Sequence, residues 1–548
     1  MKYAYGIDLG TTYSCIAYVD EYGKPVVLKN SDGDHTTPSV VMFESAENII
    51  VGMEAKRSIE TDPDKTVQFI KRKMGEEKDT IVLNGNTYRA PEVSAYILKK
   101  MVRDANKDLQ QTGVLQDGEE IKDVVITCPA YFGVNERSAT MEAGKLAGLN
   151  VLNIINEPTA AAISYGVSGS NKNETVLVYD LGGGTFDITV MNIQGNNISA
   201  ICTGGDKQLG GKDWDESLME YVIQRYEEEY GEDLTDDPDA IAALYVDVEI
   251  WKKSLTTREK VNISVNGSAG RLREELTRKK YEELTENLLN RTRNLLDETL
   301  KQAEQSGCSR ENINRILLVG GSSRMPQVSA MLEKHYQITP VLADPDEAVA
   351  KGAAIYAGNE KMYHDFIGKE AERTGKSLEE IQNENLVTGS IDKAFARATG
   401  GASQKISITN VLSRTYGTAA YEGNEEKIVN MLMINDKLPA SNTAIFQTRE
   451  DNQDGAVLDI YESRSTSEVT DIEDKKPLTS IYMKFQRSVP KGTDIQTTMA
   501  LDNAGVLHII AEEERYHSKL DTTFQLTGQM SDTELKDAQK RMSLANIE

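Results

Sequence analysis

The sequence predicts an α/β region over residues 1–357, an all-β antiparallel sandwich over 406–529 and a short C-terminal helix over 530–548. A polar stretch at 358–405 separates the first two. Three observations carry this division. Apolar strand-like runs alternate with amphipathic helical patterns up to about 357, the mark of α/β architecture. Between 358 and 405 strand signals vanish, and Glu, Lys, Asn and Gly dominate. From 406 onward, short runs of alternating polarity are divided by turns, as in an antiparallel sandwich.

In the α/β region, strands are expected at 124–127, 176–180 and 316–319, and helices at 95–108, 216–229 and 280–304. In the polar stretch, Thr374-Gly375, Thr388-Gly389 and Thr399-Gly400 punctuate three segments. Glycine just past a helical pattern stops it. Short helices such as 370–373 or 392–398 are one reading; a disordered tether is the other. Sandwich strands are expected at 428–434, 457–461, 480–485 and 506–511, with turns at 452–455 and 502–505. Ser531-Asp532-Thr533-Glu534 forms a capping box, and Leu535, Ala538 and Met542 follow at helical spacing. That helix has room for about four or five turns. It is expected to pack against the sandwich, and is too short to cross it and return.

The chain has 548 residues, with 87 acids against 61 bases and a net charge of −26. This balance argues against nucleic acid and against an anionic membrane surface as partners, because both need clustered Lys and Arg. No apolar run reaches membrane-spanning length. Cys15, Cys128, Cys202 and Cys308 have no paired spacing, so neither a disulfide framework nor a zinc site is expected. A reducing, cytoplasmic compartment fits, and Met1 leads straight into the first strand without a signal peptide.

The chemistry is concentrated in a repeated design. Asp8-Leu9-Gly10-Thr11-Thr12-Tyr13 and Asp180-Leu181-Gly182-Gly183-Gly184-Thr185-Phe186-Asp187 each place an Asp at a strand end, then a glycine turn, then Thr. Glycine lets backbone N–H groups point at an anion and lets a phosphate approach closely. A carboxylate at the strand end suits a hydrated Mg²⁺. Two such turns suggest two lobes closing on one nucleotide. A third apolar strand, 316–319, enters Gly320-Gly321-Ser322-Ser323-Arg324.

With these residues in order, the chain resembles the heat shock protein 70 (seventy-kilodalton, DnaK-like) chaperones of the actin and sugar-kinase superfamily. Asn156-Glu157-Pro158-Thr159, Pro129-Ala130-Tyr131-Phe132, Leu209-Gly210-Gly211-Lys212-Asp213 and Asp344-Pro345-Asp346-Glu347 follow in family order. The resemblance is close over 1–357 and looser from 406 onward. It implies a two-lobed, actin-like ATPase domain, a β-sandwich that binds peptide, and a short form lacking most of the helical lid.

The same resemblance assigns roles. Asp8, Asp180 and Asp187 would surround Mg²⁺, mostly through water; K⁺ is a compatible further cation. Lys71 would orient the attacking water and stabilise developing charge, with Glu157 ordering metal-bound water. Gly10, Thr11, Thr12, Tyr13, Gly182, Gly183, Gly184, Thr185, Gly210 and Gly211 would cradle the phosphates of ATP or ADP. Glu249, Lys252, Lys253 and Thr256 would hold the ribose and one face of adenine. Gly320, Gly321, Ser322 and Arg324 would take the other face, with Asp346 nearby. Lys253 stands where the family usually has Arg, and Lys lacks the planar stacking group. Tyr421 and Arg449 would arch over bound peptide, above a floor of Ala456, Leu458 and Ile460.

Other departures concern coupling. Pro129 matches a switch proline between lobes. The linker reads Ile406-Ser407-Ile408-Thr409-Asn410 where the family has a leucine-rich run ending in Asp. Weaker linker docking is expected, since less apolar area is buried. Asn153 stands where DnaK has an Arg that contacts its J-domain cochaperone, which places that partner in question. The expected partners are unfolded or extended peptides, a J-domain cochaperone and a nucleotide exchange factor.

The leading function is therefore an ATP-dependent chaperone involved in folding and stress response. A nucleotide-binding regulatory relative, acting as a holdase or exchange factor, is the alternative. A sugar kinase would need a second small-molecule site, and an actin-like filament protein would not need residues 406–548.

Overall fold

The computed structural model describes residues 3–76, 80–166, 173–342, 344–378, 380–381, 385, 389–399, 404–472, 475–502, 506–524 and 530–548. The α/β region holds two six-stranded sheets with the same internal plan. In the first, Tyr5–Asp8 pairs antiparallel with Tyr13–Val19 and parallel with Asp123–Cys128, which pairs onward with Asn150–Asn156. In the second, Asn173–Leu181 pairs antiparallel with Phe186–Gln194 and parallel with Arg315–Val319, which pairs with Val341–Leu342. The duplicated turns of the sequence are thus the hairpin ends of two equivalent sheets. Asp8 is the last residue of its strand and Asp180 the last but one of the matching strand.

The helices Glu157–Gly166 and Ala348–Thr374 pack between the two sheets. One buried cluster joins Val125 and Ile155 to Ala160, Ala161, Val178, Leu317, Ala353 and Tyr356. Small residues permit this close approach. A side chain at Gly6 would strike the Ala353–Ala354 backbone, and one at Gly352 would strike Ala160.

The expected helices appear with longer bounds, as Ala90–Gln111 and Gly211–Tyr230. The helix expected at 280–304 is two helices, Arg278–Leu284 and Glu286–Gln305. The break is Thr285, fully buried, whose hydroxyl donates to Tyr281 O and accepts from Gln327 Nε2. The boundary drawn at 357 falls inside the helix Ala348–Thr374, which runs on to a left-handed Gly375. Its extension carries Tyr363 and Ile367, and Ile381 and Phe395 cover them in a small separate core. Residues 370–373 are therefore its last turn, while Ser390–Ala398 is a distinct helix. The glycine stop read at 400 and three residues of the turn read at 502–505 lie outside the described residues.

The linker, expected to hold loosely, is paired. Ser407–Thr409 adds parallel to Asn197–Asp206 as an edge strand of the second sheet. Ile406 is buried in the intersheet core and Ile408 packs against it. A backbone ladder does not depend on leucine content, and the amide of Asn410 accepts from Asn156 Nδ2 at 3.4 Å.

Beyond it, a five-stranded and a four-stranded antiparallel sheet form the sandwich. The strands expected there are Glu425–Leu432, Gln453–Ser463, Thr479–Val489 and Leu507–Glu513. The sandwich rests on the α/β region. Val134 enters its core, Ser413 Oγ donates to Phe132 O at 3.1 Å, and an Arg464 N–H donates to Gly205 O at 3.0 Å.

The C-terminal helix, Asp532–Leu544, keeps its capping box but not its expected partner. Leu535, Ala538 and Met542 pack on the first lobe against the helix Ala90–Gln111, not on the sandwich. Arg541 forms two hydrogen bonds of 2.7 Å to Glu92, whose side chain is fully buried. Lys99 donates to Met542 O at 2.8 Å. The chain then pairs Asn546–Ile547 parallel to Asn48–Val51, with Ile547 buried. An amphipathic face records that a helix packs, and says nothing of what it packs on.

Candidate active site

Between the lobes lies a cleft of about 750 Å³. Several of its walls are loops the sequence marks with glycine. The two glycine turns touch: a side chain at Gly183 would collide with Thr12, and one at Gly184 with Thr11. The loop before the helix Gly211–Tyr230 locks onto the second turn, because Gly211 N donates to Gly182 O at 2.9 Å and Lys212 N to Gly183 O at 2.8 Å. Asp213 caps that helix by accepting from Gly210 N at 2.7 Å.

At the bottom of the cleft sit the charged groups. Lys71 is only 5% exposed and its ammonium is ion-paired with Glu157. It is carried on the short turn Ile70–Lys73, entered through Phe69 in a left-handed conformation at φ 55°. Burial alone would lower the Lys71 ammonium, but Glu157 and Asp8 reverse this and hold it protonated. Asp8 accepts from Thr127 Oγ1 at 3.2 Å. Burial and the neighbouring Glu157 push its carboxyl up to about 7. The same two causes raise Asp180 and Asp187 well above the carboxylate range. Asp187 sits just behind the cleft wall, where Oδ1 accepts from Ala130 N at 2.8 Å and Tyr131 N at 3.3 Å. Its Oδ2 is buried with no hydrogen-bond partner.

Four carboxylates around one ammonium leave an excess of buried negative charge. Such a set of carboxylates suits a cation. Among the described residues, no three His, Cys, Asp or Glu side chains converge closely enough to grip a metal by themselves. An ion held here would keep water ligands, which suits Mg²⁺.

The cleft wall includes Gly10, Thr11, Thr12, Tyr13, Gly182, Gly183, Thr185 and Gly211 around the floor. Glu249, Lys252, Lys253 and Thr256 line it on one side, and Gly320, Gly321, Ser322, Arg324 and Asp346 on another. Gly184 and Gly210 stand behind this wall, packed on each other. Glu249 accepts from Tyr13 Oη at 3.2 Å and pairs with Lys56 and Lys253. Burial would raise its carboxyl, but the two lysines overcome that and hold it down at about 2. Lys252 bridges Asp215 at 2.7 Å and Gly211 O at 2.8 Å. Arg324 is paired with Asp346.

Sequence reasoning missed Lys56 and Arg72. Arg72 Nε donates to Gly184 O and Nη2 to Asp213 Oδ2, both at 2.8 Å, tying the lobe that carries Lys71 to the second glycine turn. Its position beside Lys71 was the available signal. Lys56 had none, because its partner Glu249 is 193 residues away.

In the sandwich, the ladder between Thr415–Glu422 and Gln453–Ser463 ends at Thr418–Ile460. Beyond that point Ala419 to Tyr421 and Ala456 to Leu458 face a gap in the sheet. Arg449 lies over the Tyr421 ring at 3.7 Å across its mouth.

The Hsp70 protein family profile matches residues 4–364. The chain is 34% identical over 521 residues to the Chaperone protein DnaK of Thermotoga petrophila, covering 93% of this chain and 78% of that protein. It is 32% identical over 543 residues to the Chaperone protein DnaK of Halobacterium salinarum, covering 98% and 77% respectively. With a nucleotide-sized cleft between duplicated sheets and a β-sandwich beyond, this chain belongs to the Hsp70 family.

Proposed function

We propose that this ATP-dependent Hsp70-type chaperone hydrolyses ATP in the cleft between its lobes and uses the result to control extended peptides in the sandwich gap. The observation that carries the reading is the buried Lys71–Glu157 pair beside Asp8, Asp180 and Asp187. Phosphoryl transfer needs positioning and charge stabilisation more than covalent chemistry. The glycine turns hold the phosphates with backbone N–H groups. Lys71, fixed as an ammonium, orients the attacking water and stabilises charge as it develops on the phosphoryl oxygens. Glu157 keeps Lys71 in place and would help to order metal-bound water. Mg²⁺, held by Asp8, Asp180 and Asp187 through water, would neutralise phosphate charge when bound. On the adenosine side, Glu249, Lys252, Lys253 and Arg324 position the nucleoside.

The domain division follows from this use. Residues 1–357 with the stretch to 405 form the ATPase part, 406–529 the peptide-binding part, and 530–548 a brace on the first lobe. Among the described residues no helix is long and apolar enough to cross a membrane. The four cysteines are free and buried, which suits the cytoplasm.

Lys71→Ala tests the assignment. ATP binding, measured calorimetrically, should persist, while single-turnover hydrolysis falls on the order of a hundredfold or more. Unchanged turnover would remove Lys71 from the mechanism. Full activity in chelator would remove the metal.

A further inference from the structure

We propose that the sandwich gap selects extended peptides carrying an acidic side chain beside an apolar one, with Arg449 as the specificity-determining residue. This rests on the peptide-binding reading above. Three observations support it. First, the guanidinium of Arg449 is stacked on Tyr421 at 3.7 Å, and among the described residues no carboxylate pairs with it. A stacked guanidinium keeps its N–H edge free, and that edge matches a carboxylate bidentately. Second, the loop presenting it is held in place. Gln453 Oε1 accepts from the backbone N–H of Arg449 at 3.0 Å and of Glu450 at 3.4 Å, and Gln453 Nε2 donates to Gly455 O at 2.7 Å. Asp451 accepts from Lys491 N at 3.0 Å. The backbone that carries Arg449 is thereby held in place before any ligand arrives.

Third, the surroundings supply the apolar half of the site. The ladder stops at Thr418–Ile460, so the edges beyond it can accept an added extended segment. Tyr421 is half exposed, while Leu458 is buried at the base of the gap. Alternate side chains of an extended peptide point to opposite faces. One can descend toward Ala456 and Leu458 while its neighbour meets the Arg449 edge. Of the nearby acids, Glu422 and Glu425 pair with Lys427, at 3.7 and 3.4 Å, Asp451 accepts from Lys491 N, and Asp454 accepts from Tyr482 Oη at 3.3 Å.

The experiment uses the whole 548-residue chain with ADP and three fluorescent heptapeptides. They share one apolar centre and differ only in flanking Glu, Gln or Lys. Fluorescence anisotropy should give about tenfold tighter binding for the Glu-flanked peptide than for the Lys-flanked one, weakening as salt is raised. In Arg449→Gln the three affinities should converge, whatever affinity all three lose in common with the Tyr421–Arg449 contact. Arg449→Lys should recover only part of the preference. Equal or tighter binding of the Lys-flanked peptide by the wild-type chain overturns the specificity, as does an unchanged preference in Arg449→Gln. Failure of all three peptides to bind overturns the peptide-binding reading itself.

Discussion

Asp187 accepts a hydrogen bond from the backbone of Ala130 at 2.8 Å, and four residues on Val134 is part of the sandwich core. One loop, beginning at Pro129, therefore touches both a carboxylate behind the cleft floor and the sandwich. A change in charge at the floor can shift the loop, and a change in the sandwich can shift Asp187. Val134→Asp should undock the sandwich, because it places an unpaired charge in an apolar cluster. ATP should still bind. Peptide should no longer change the hydrolysis rate, which steady-state turnover with and without peptide measures directly.

The C-terminal brace makes a stability prediction. Arg541→Ala leaves the buried Glu92 carboxylate without its bidentate partner, and burial already holds that carboxyl above its usual range. Breaking such a pair costs roughly 3 kcal/mol. Urea unfolding of the first lobe should show a loss of this order. Replacing both residues with leucine should recover most of it. A neutral Arg541→Ala would mean that residues 530–548 leave the lobe freely.

That same brace bears on peptide kinetics. Leu535, Ala538 and Met542 are committed to the first lobe and do not cover the sandwich gap. Among the described residues, bound peptide is then retained by the gap and by the Tyr421–Arg449 contact. Stopped-flow release should be fast even with ADP, and faster still with ATP. Release over many minutes with ADP would show that another element closes the site.

The bridge from Lys56 to Glu249 crosses the cleft and should slow nucleotide release. Glu249 titrates near 2 in the folded chain, below its ordinary value of 4.5. A depressed carboxylate stabilises the fold above its unfolded value, and the contribution is lost as pH falls from about 4.5 toward 2. Its size is on the order of 2 kcal/mol once screening at the cleft mouth is allowed for. Glu249→Gln should remove this acid-dependent part of the stability curve and speed ADP release at neutral pH. An unchanged melting profile between pH 5 and pH 3 relative to wild type would contradict the bridge.

Asn153 predicts weak cooperation with a generic J-domain protein. Its amide is engaged with Tyr356 Oη at 3.0 Å, so the position offers no cation to an acidic or polar partner. Strong stimulation at low micromolar cochaperone would show that another residue replaces the missing Arg.

What was legible in the sequence follows from what is local. Strand ends with Asp8 and Asp180, the glycine turns and the Ser531–Glu534 capping box are all set within a few residues, and the sequence displays them. Helix length beyond 357 was missed because the continuation is polar on most faces; its apolar Tyr363 and Ile367 gain meaning only when Phe395 covers them. Thr285 broke a helix through a buried hydroxyl network that no propensity records. The partners of the C-terminal helix, of Lys56 and of Arg72 are set by tertiary approach across hundreds of residues. The linker docked despite its poor apolar content because its pairing is made by the backbone.

The central claim is that hydrolysis at Lys71 is coupled to peptide in the sandwich through the docked linker and the Pro129 loop. Single-turnover ATP hydrolysis by the full chain, with and without an unfolded peptide, tests this most directly. The account predicts faster hydrolysis when peptide is present, and loss of that acceleration in Val134→Asp. Hydrolysis at the same rate with and without saturating peptide would contradict it.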